Sequence, residues 1–160
     1  IAVITLAGSV GVVVSDLSAN FGLVLPKLSP ETTEKLKDMF ETPISNPVDL
    51  YFSVTKIGFT KTLETTFPDA FRDPNIDAAV LILAGFDYTQ EAVQKKIIQK
   101  IVQDVGKPVV VCMIVGYNKY KNVIMDELGK DLPVFTSLIS GVKALSKLCQ
   151  YGMRKHKQSA

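Results

Sequence analysis

The chain has 160 residues, with 18 basic and 16 acidic side chains and a formal net charge of +2. That length suits one domain able to bury about two-thirds of its unfolded surface, and so balanced a charge excludes an electrostatic case for nucleic acid. The 47% hydrophobic content and mean hydropathy of +0.22 suit a sheet buried on both faces, while no apolar run approaches the roughly 18 residues of a membrane span.

The chain opens on an apolar run (residues 1–6, IAVITL) that meets Ala7-Gly8-Ser9-Val10-Gly11 and passes into a helical stretch ending near Asn20. A buried strand, a glycine turn and a helix start aim backbone N–H groups and the positive end of a helix dipole above the strand. The predicted anion site is the set of N–H groups of Gly8, Ser9, Val10 and Gly11, with the Ser9 hydroxyl as a further donor. The alternative is that the glycines serve only close packing. Asp16, just beyond Gly11 on the same helix, is read either as a contact to a neighbouring loop or domain or as a solvent-facing residue.

Gly22 can take the helix-closing left-handed position, and residues 23–25 (LVL) read as strand 2, closed by Pro26. Ser29-Pro30-Glu31 opens a second helix through Phe40, with a serine cap and proline in the first turn. Asn46-Pro47-Val48-Asp49 follows in a loop that Pro47 stiffens. Asn46 and Asp49 would project near the first helix's N-terminus, or the segment is plain turn chemistry. Residues 55–66 are a helix candidate weakened by Gly58 and several threonines.

Asp73-Pro74-Asn75 is a turn, and residues 76–84 (IDAAVLILA) are the third strand. Thr89 caps a helix with apolar residues at Val93, Ile97, Ile98, Ile101, Val102 and Val105, ended by Gly106. Residues 108–115 (PVVVCMIV) make the fourth strand, residues 119–128 a helix, residues 133–135 a short fifth strand and residues 138–153 the closing helix. Residues 154–160 read as a frayed polar tail after a domain of residues 1–153. Alternating apolar strands and helices give an α/β fold: a three-layer flavodoxin-like domain with a five-stranded parallel sheet in order 2-1-3-4-5. Ligands bind such sheets beyond the carboxyl ends of strands 1 and 3, where residues 8–11 and Ala84-Gly85-Phe86 fall.

Residues for covalent chemistry are scarce. The one histidine, His156, sits between Lys155 and Lys157, without the positioned partner a catalytic imidazole needs. Cys112 and Cys149 are far apart and read as buried, inert thiols in a reducing compartment. No metal site is expected, and Leu6-Ala7 lacks the carboxylates of a receiver-type phosphoacceptor. Tyr117-Asn118-Lys119-Tyr120-Lys121 and Lys95, Lys96 and Lys100 read as solvated helix surface. Nothing resembles a secretory signal, a chain opening on isoleucine is expected to have lost residues upstream, and the location expected is cytoplasmic.

With these residues in place, the chain resembles the C-terminal flavodoxin-like ligase domain of NDP-forming acyl-CoA synthetases, the ADP-forming acetate–CoA ligase group related to succinyl-CoA synthetase. The matching stretches are IAVITLAGSVGVVVSD, GLVLPKLSPETTEKLKDMF, SNPVDL, DPNIDAAVLIL and GKPVVVCMIVG, in the family's order along nearly the whole chain. The family's turn often reads T-N-G-G-G-P-G where this chain has Thr5-Leu6-Ala7-Gly8-Ser9-Val10-Gly11. The resemblance implies a domain that holds a phosphoryl group at a helix N-terminus, with no catalytic residue of its own. The phosphohistidine, the CoA-binding domain and the ATP-grasp domain would lie elsewhere in the same enzyme, with phosphate, CoA, ATP/ADP and Mg acting in the complete enzyme and no cofactor on this domain alone. Asn46, Pro47, Asp49 and Asp16 would then shape the neighbouring loop and interface. The competing readings are a flavodoxin-like domain for FMN or a nucleotide, with Phe86 and Tyr88 as the only aromatic candidates, and a purely structural subunit-interaction domain.

Overall fold

A computed structural model of the chain describes residues 1–41, 43–84, 91–114 and 129–159. Its sheet has five strands: β1 (Ala2–Thr5), β2 (Val48–Asp49), β3 (Ala79–Ala84), β4 (Val109–Ile114) and β5 (Val134–Phe135). All pairings are parallel, in the order β2-β1-β3-β4-β5, as expected of strands that are apolar on both faces. Val3 lies opposite Val80, and Val80 opposite Val110.

Side chains alternate across this sheet into two cores. Val3, Val80, Ile82, Val110 and Cys112 meet α1 (Gly8–Asn20) and the closing helix, which we label α7 (Leu138–Ser159), through Val14, Val142 and Leu145. On the other face Ile4, Leu81, Leu83, Val111 and Met113 meet α2 (Pro30–Leu36), α4 (Phe59–Glu64), α5 (Thr66–Arg72) and α6 (Glu91–Val105) through Leu36, Leu63, Phe67 and Ile98. Each such fully buried side chain contributes about 1.5–3 kcal/mol relative to exposure. Between β2 and α4 lies α3 (Tyr51–Ile57), joined to its neighbours by a buried hydroxyl trio: Ser53 Oγ is 3.0 Å from Thr62 Oγ1 and 2.7 Å from Thr66 Oγ1. No helix of the described residues is long and apolar enough to cross a membrane.

The strand order agrees with the expectation, but the identity of strand 2 does not. Residues 23–25 form no strand, because they begin as the turn that closes α1. Gly22, at φ +73, donates to Ala19 O at 3.0 Å, and Leu23 N donates to Ser18 O at 2.9 Å, the paired bonds of a glycine-ended helix. The second strand is instead Val48–Asp49, with Ile4 opposite Val48 and Thr5 opposite Asp49. The expected helix over residues 55–66 is three short helices over 51–72, broken at Gly58, whose φ is +84. The closing helix runs past Met153 to Ser159. No proline interrupts it there, and its basic last turns complement the dipole. The second helix shortens to α2 and a 3-10 turn over Lys37–Met39. Thr89, the expected helix over 119–128, and Gly85, Phe86, Tyr88 and residues 117–121 lie outside the described residues.

Asp73 fastens α2 to the turn before β3. Its carboxylate accepts from Ser29 N and Asn75 N, each at 2.8 Å, while Lys107 Nζ donates to Asp73 O at 2.8 Å and Phe71 O at 3.2 Å. The residue is 1% exposed. Burial alone would raise its pKa, but hydrogen bonds from the Thr32 hydroxyl, Ser29 and Asn75 outweigh that and hold it below the ordinary value of 3.8. Since the folded value is the lower one, the carboxylate's contribution is complete above about 3.8 and disappears as pH falls through the folded value. Asp73→Asn should therefore cost about 1–3 kcal/mol at neutral pH. The gap in urea midpoint from the parent should close in strongly acidic buffer; a gap independent of pH contradicts this role.

Candidate anion-binding site

The carboxyl end of β1 leads into α1 through Leu6 and Ala7. Thr5, wholly buried, holds this corner: its Oγ1 accepts from Ala7 N at 3.0 Å and donates to Ala7 O at 3.2 Å. Ala7 is extended (φ −144, ψ 105) and caps α1 without a side-chain acceptor. The helix therefore begins at Gly8, and its first turn is exposed at Gly8 and Ser9 and buried at Gly11.

This start divides the four predicted amides. Val10 N and Gly11 N donate to Ala7 O at 3.0 and 3.2 Å, so the helix itself consumes them and they are withdrawn from the site. Gly8 N and Ser9 N are the helix's unspent donors, with no partner among the described residues. The usable constellation is two N–H groups, the Ser9 hydroxyl and the positive end of a 13-residue helix.

The two glycines answer to packing. A Cβ on Gly11 would stand 3.1 Å from Pro47 Cβ and 3.3 Å from Thr5 Cγ2, and one on Gly8 would stand 2.7 Å from Asp49 Oδ2. Gly11 lets α1 lie directly on Pro47, and Gly8 leaves room for a carboxylate. Asp49 is half-buried, and its Oδ1 accepts from Tyr51 N at 2.9 Å, which starts α3. Its charge supports the amino end of α1. It also repels anions, so any anion at these amides would have to approach on the Ser9 side.

Asn46 belongs to the opposite end of β1. Its Oδ1 accepts from Val3 N at 3.0 Å, and its Nδ2 donates to Ile1 O at 2.8 Å and Pro26 O at 3.1 Å. The expectation that it projects beside the N-terminus of α1 is corrected: its amide is spent as a surrogate strand on the outer edge of β1. The Asn46–Pro47 peptide bond is cis. Asp16 is exposed on the outer face of α1. A groove of about 420 Å³, lined in part by Pro26, Lys27, Thr33 and Asn46, lies at this amino end. The Asn46 amide is fully used there, and the Thr33 hydroxyl donates to Ser29 O at 2.9 Å.

Cys112 is buried, and burial pushes its thiol up to about 11; Cys149 is free and half-buried, and burial raises it too. Both are poor nucleophiles. Among the described residues no three His, Cys, Asp or Glu side chains are grouped as a metal would require. Sequence reasoning missed the Thr5 hydroxyl as the corner's support, whereas Asp49 lies beside the N-terminus of α1 at Gly8 as expected. A threonine ending a buried apolar strand was the available signal for that support.

A parallel sheet in this order, with an open helix N-terminus beyond a central strand, defines a flavodoxin-like α/β domain. Known proteins narrow that class. No protein-family model matches the chain. It is 26% identical, over 97% of its length and 23% of the relative's, to acetate–CoA ligase (ADP-forming) II of Archaeoglobus fulgidus. It is 30% identical, over 73% of its length and 26% of the relative's, to the alpha subunit of acetate–CoA ligase (ADP-forming) II of Pyrococcus furiosus. Among solved structures, PH0766 of Pyrococcus horikoshii OT3 superposes with a TM-score of 0.73 at 27% identity, covering 91% of this chain and 34% of that one. The fold also matches the dinucleotide-forming acetyl-coenzyme A synthetase 1 of Ca. Korarchaeum cryptofilum bound to phosphate and ADP, with a TM-score of 0.73 at 22% identity, over 95% of this chain and 32% of that one. The chain is thus a homologue of ADP-forming acetate–CoA ligases, and it spans about a quarter of the length of the curated relatives it matches.

The account of Asn46 makes a stability prediction. Asn46→Ala would leave Val3 N–H, Ile1 O and Pro26 O without their partner and should cost about 1–3 kcal/mol, read as a lower urea midpoint. Backbone amide exchange should rise at Val3. Unchanged exchange at Val3 would contradict the surrogate-strand role.

Proposed function

We propose that this chain is one domain of an ADP-forming acyl-CoA synthetase, which converts acyl-CoA, phosphate and ADP to carboxylic acid, CoA and ATP. Phosphate displaces CoA to give an acyl phosphate, a histidine of another domain takes the phosphoryl group, and ADP accepts it. The chain's own part is electrostatic. Gly8 N–H, Ser9 N–H and the Ser9 hydroxyl hold the phosphoryl oxygens while the group resides on the incoming imidazole. The observation that carries this reading is the pair of exposed, unspent amides heading α1, in a chain homologous to such ligases.

The arrangement suits a group that is neither made nor broken by this domain. Charge-assisted hydrogen bonds are each worth about 1.5–3 kcal/mol, and the dipole adds about 0.3–1 kcal/mol. These terms favour the phosphorylated over the free imidazole. The chain's single histidine is His156, in the last turns of α7, so the phosphohistidine is assigned to another domain. CoA, ATP/ADP and Mg belong to the rest of the enzyme, and no step given to this chain passes through them.

Ser9→Glu separates folding from function. A carboxylate in the first turn should stabilise α1 by about 0.3–1 kcal/mol, while opposing a phosphoryl group at the same place. The full-length enzyme should gain thermal stability yet lose about 10-fold or more in turnover, equivalent to about 1.4 kcal/mol, with a shorter-lived phosphohistidine. Turnover equal to the parent would contradict the proposal.

A further inference from the structure

The outer face of α1 carries two adjacent exposed valines and a single charge. The exposed positions Ser9, Val12, Val13, Asp16, Ala19 and Asn20 form two overlapping series, 9-12-16-19 and 9-13-16-20, each with steps of three and four, so they make a single stripe. Val12 is 61% and Val13 51% exposed, and Asp16 is the only charged side chain in the helix. By contrast α6 turns Lys96 and Lys100 outward, and α7 intersperses its exposed Ile139, Leu148, Tyr151 and Met153 with Lys143, Lys147 and Arg154. With its opposite side packed on the sheet, α1 thus leaves Val12 and Val13 in water between Ser9 and Asp16, where an amphipathic helix carries polar residues. The spacing is that of a seam which accepts a second helix at a shallow crossing angle.

We infer that this stripe is the docking surface for a helix of the domain that delivers the phosphorylated histidine, seated on Val12 and Val13 with a lysine or arginine opposite Asp16. The inference rests on the function proposed above. Three observations select this occupant. The relatives carry about three-quarters of their length outside the matched region. The stripe begins at Ser9, so a domain that places a phosphoryl group over Gly8 and Ser9 continues naturally over Val12 and Val13. A second copy of this chain fits poorly, because a two-fold pairing about the middle of the stripe would bring two Asp16 carboxylates together with no cation on either α1.

The test uses the complete ligase with a photoactivatable phenylalanine analogue at Val13. After irradiation, tryptic peptides should show position 13 joined to a helical segment of the histidine-bearing domain. Joining to a second copy of this chain, joining to any other domain, or no product would each overturn the inference. In the same enzyme Asp16→Lys should weaken that product several-fold, and exchanging the opposing cation for glutamate should restore it. Should the product form as expected while Ser9→Glu leaves phosphohistidine lifetime unchanged, docking would stand and the phosphoryl-holding role would fall. Loss of the product with the Ser9→Glu effect intact would show the reverse.

Discussion

The geometry of the site depends on the Asn46 side chain standing in for a strand. By bonding Val3 N, Ile1 O and Pro26 O, it occupies the edge of β1 that a longer neighbour would have paired. The chain then needs only Val48–Asp49 to complete the sheet's second position. Two consequences meet at α1. Pro47 comes to lie under Gly11, and Asp49 comes beside Gly8, so one short segment sets both the height and the electrostatic surroundings of the helix N-terminus. Three hydrogen bonds between a single side chain and backbone also fix this segment against β1, since displacing it would strand part-buried polar groups.

The rest of the molecule is a platform. Apolar strands that bury both faces make the sheet stiff, and α7, α6 and the short helices over 51–72 cover it without adding reactive groups. Cys112 is silenced by burial, and Asp73 and Lys107 are committed to a structural latch. Among the described residues, the start of α1 offers solvent Gly8 N–H, Ser9 N–H and one hydroxyl, with the half-buried Asp49 carboxylate beside them. Preorganised donors of this kind cost no reorganisation when charge arrives. On the function proposed above, a domain so built would contribute half a site, and another domain would bring the charge.

Much of this was legible in the residues. The apolar strands at 1–6, 76–84 and 108–115, the Ser29 cap, the Gly22 helix end and the strand order all follow from periodicity and from helix-end chemistry, which act over a few residues. Two of the failures share a cause: they turned on contacts between distant parts of the chain. A two-residue strand carries no periodic signal, so Val48–Asp49 lost to the more apolar residues 23–25. The part played by Asn46 could be seen only once Ile1, Val3 and Pro26 were brought together. The glycine turn was read as four open amides because the exact first residue of a helix is not encoded by composition; starting at Gly8 closed two of them against Ala7 O. Those glycines proved to have packing reasons of their own, and they neither support nor weaken the case for an anion.

Amide NMR of this chain during titration with inorganic phosphate tests the central claim most directly, because it reads the two donors individually. The account predicts saturable shifts at Gly8 and Ser9 with little change at Val10 and Gly11, whose N–H groups are already bonded within the helix. Shifts confined to other parts of the molecule, with Gly8 and Ser9 unmoved, would contradict it.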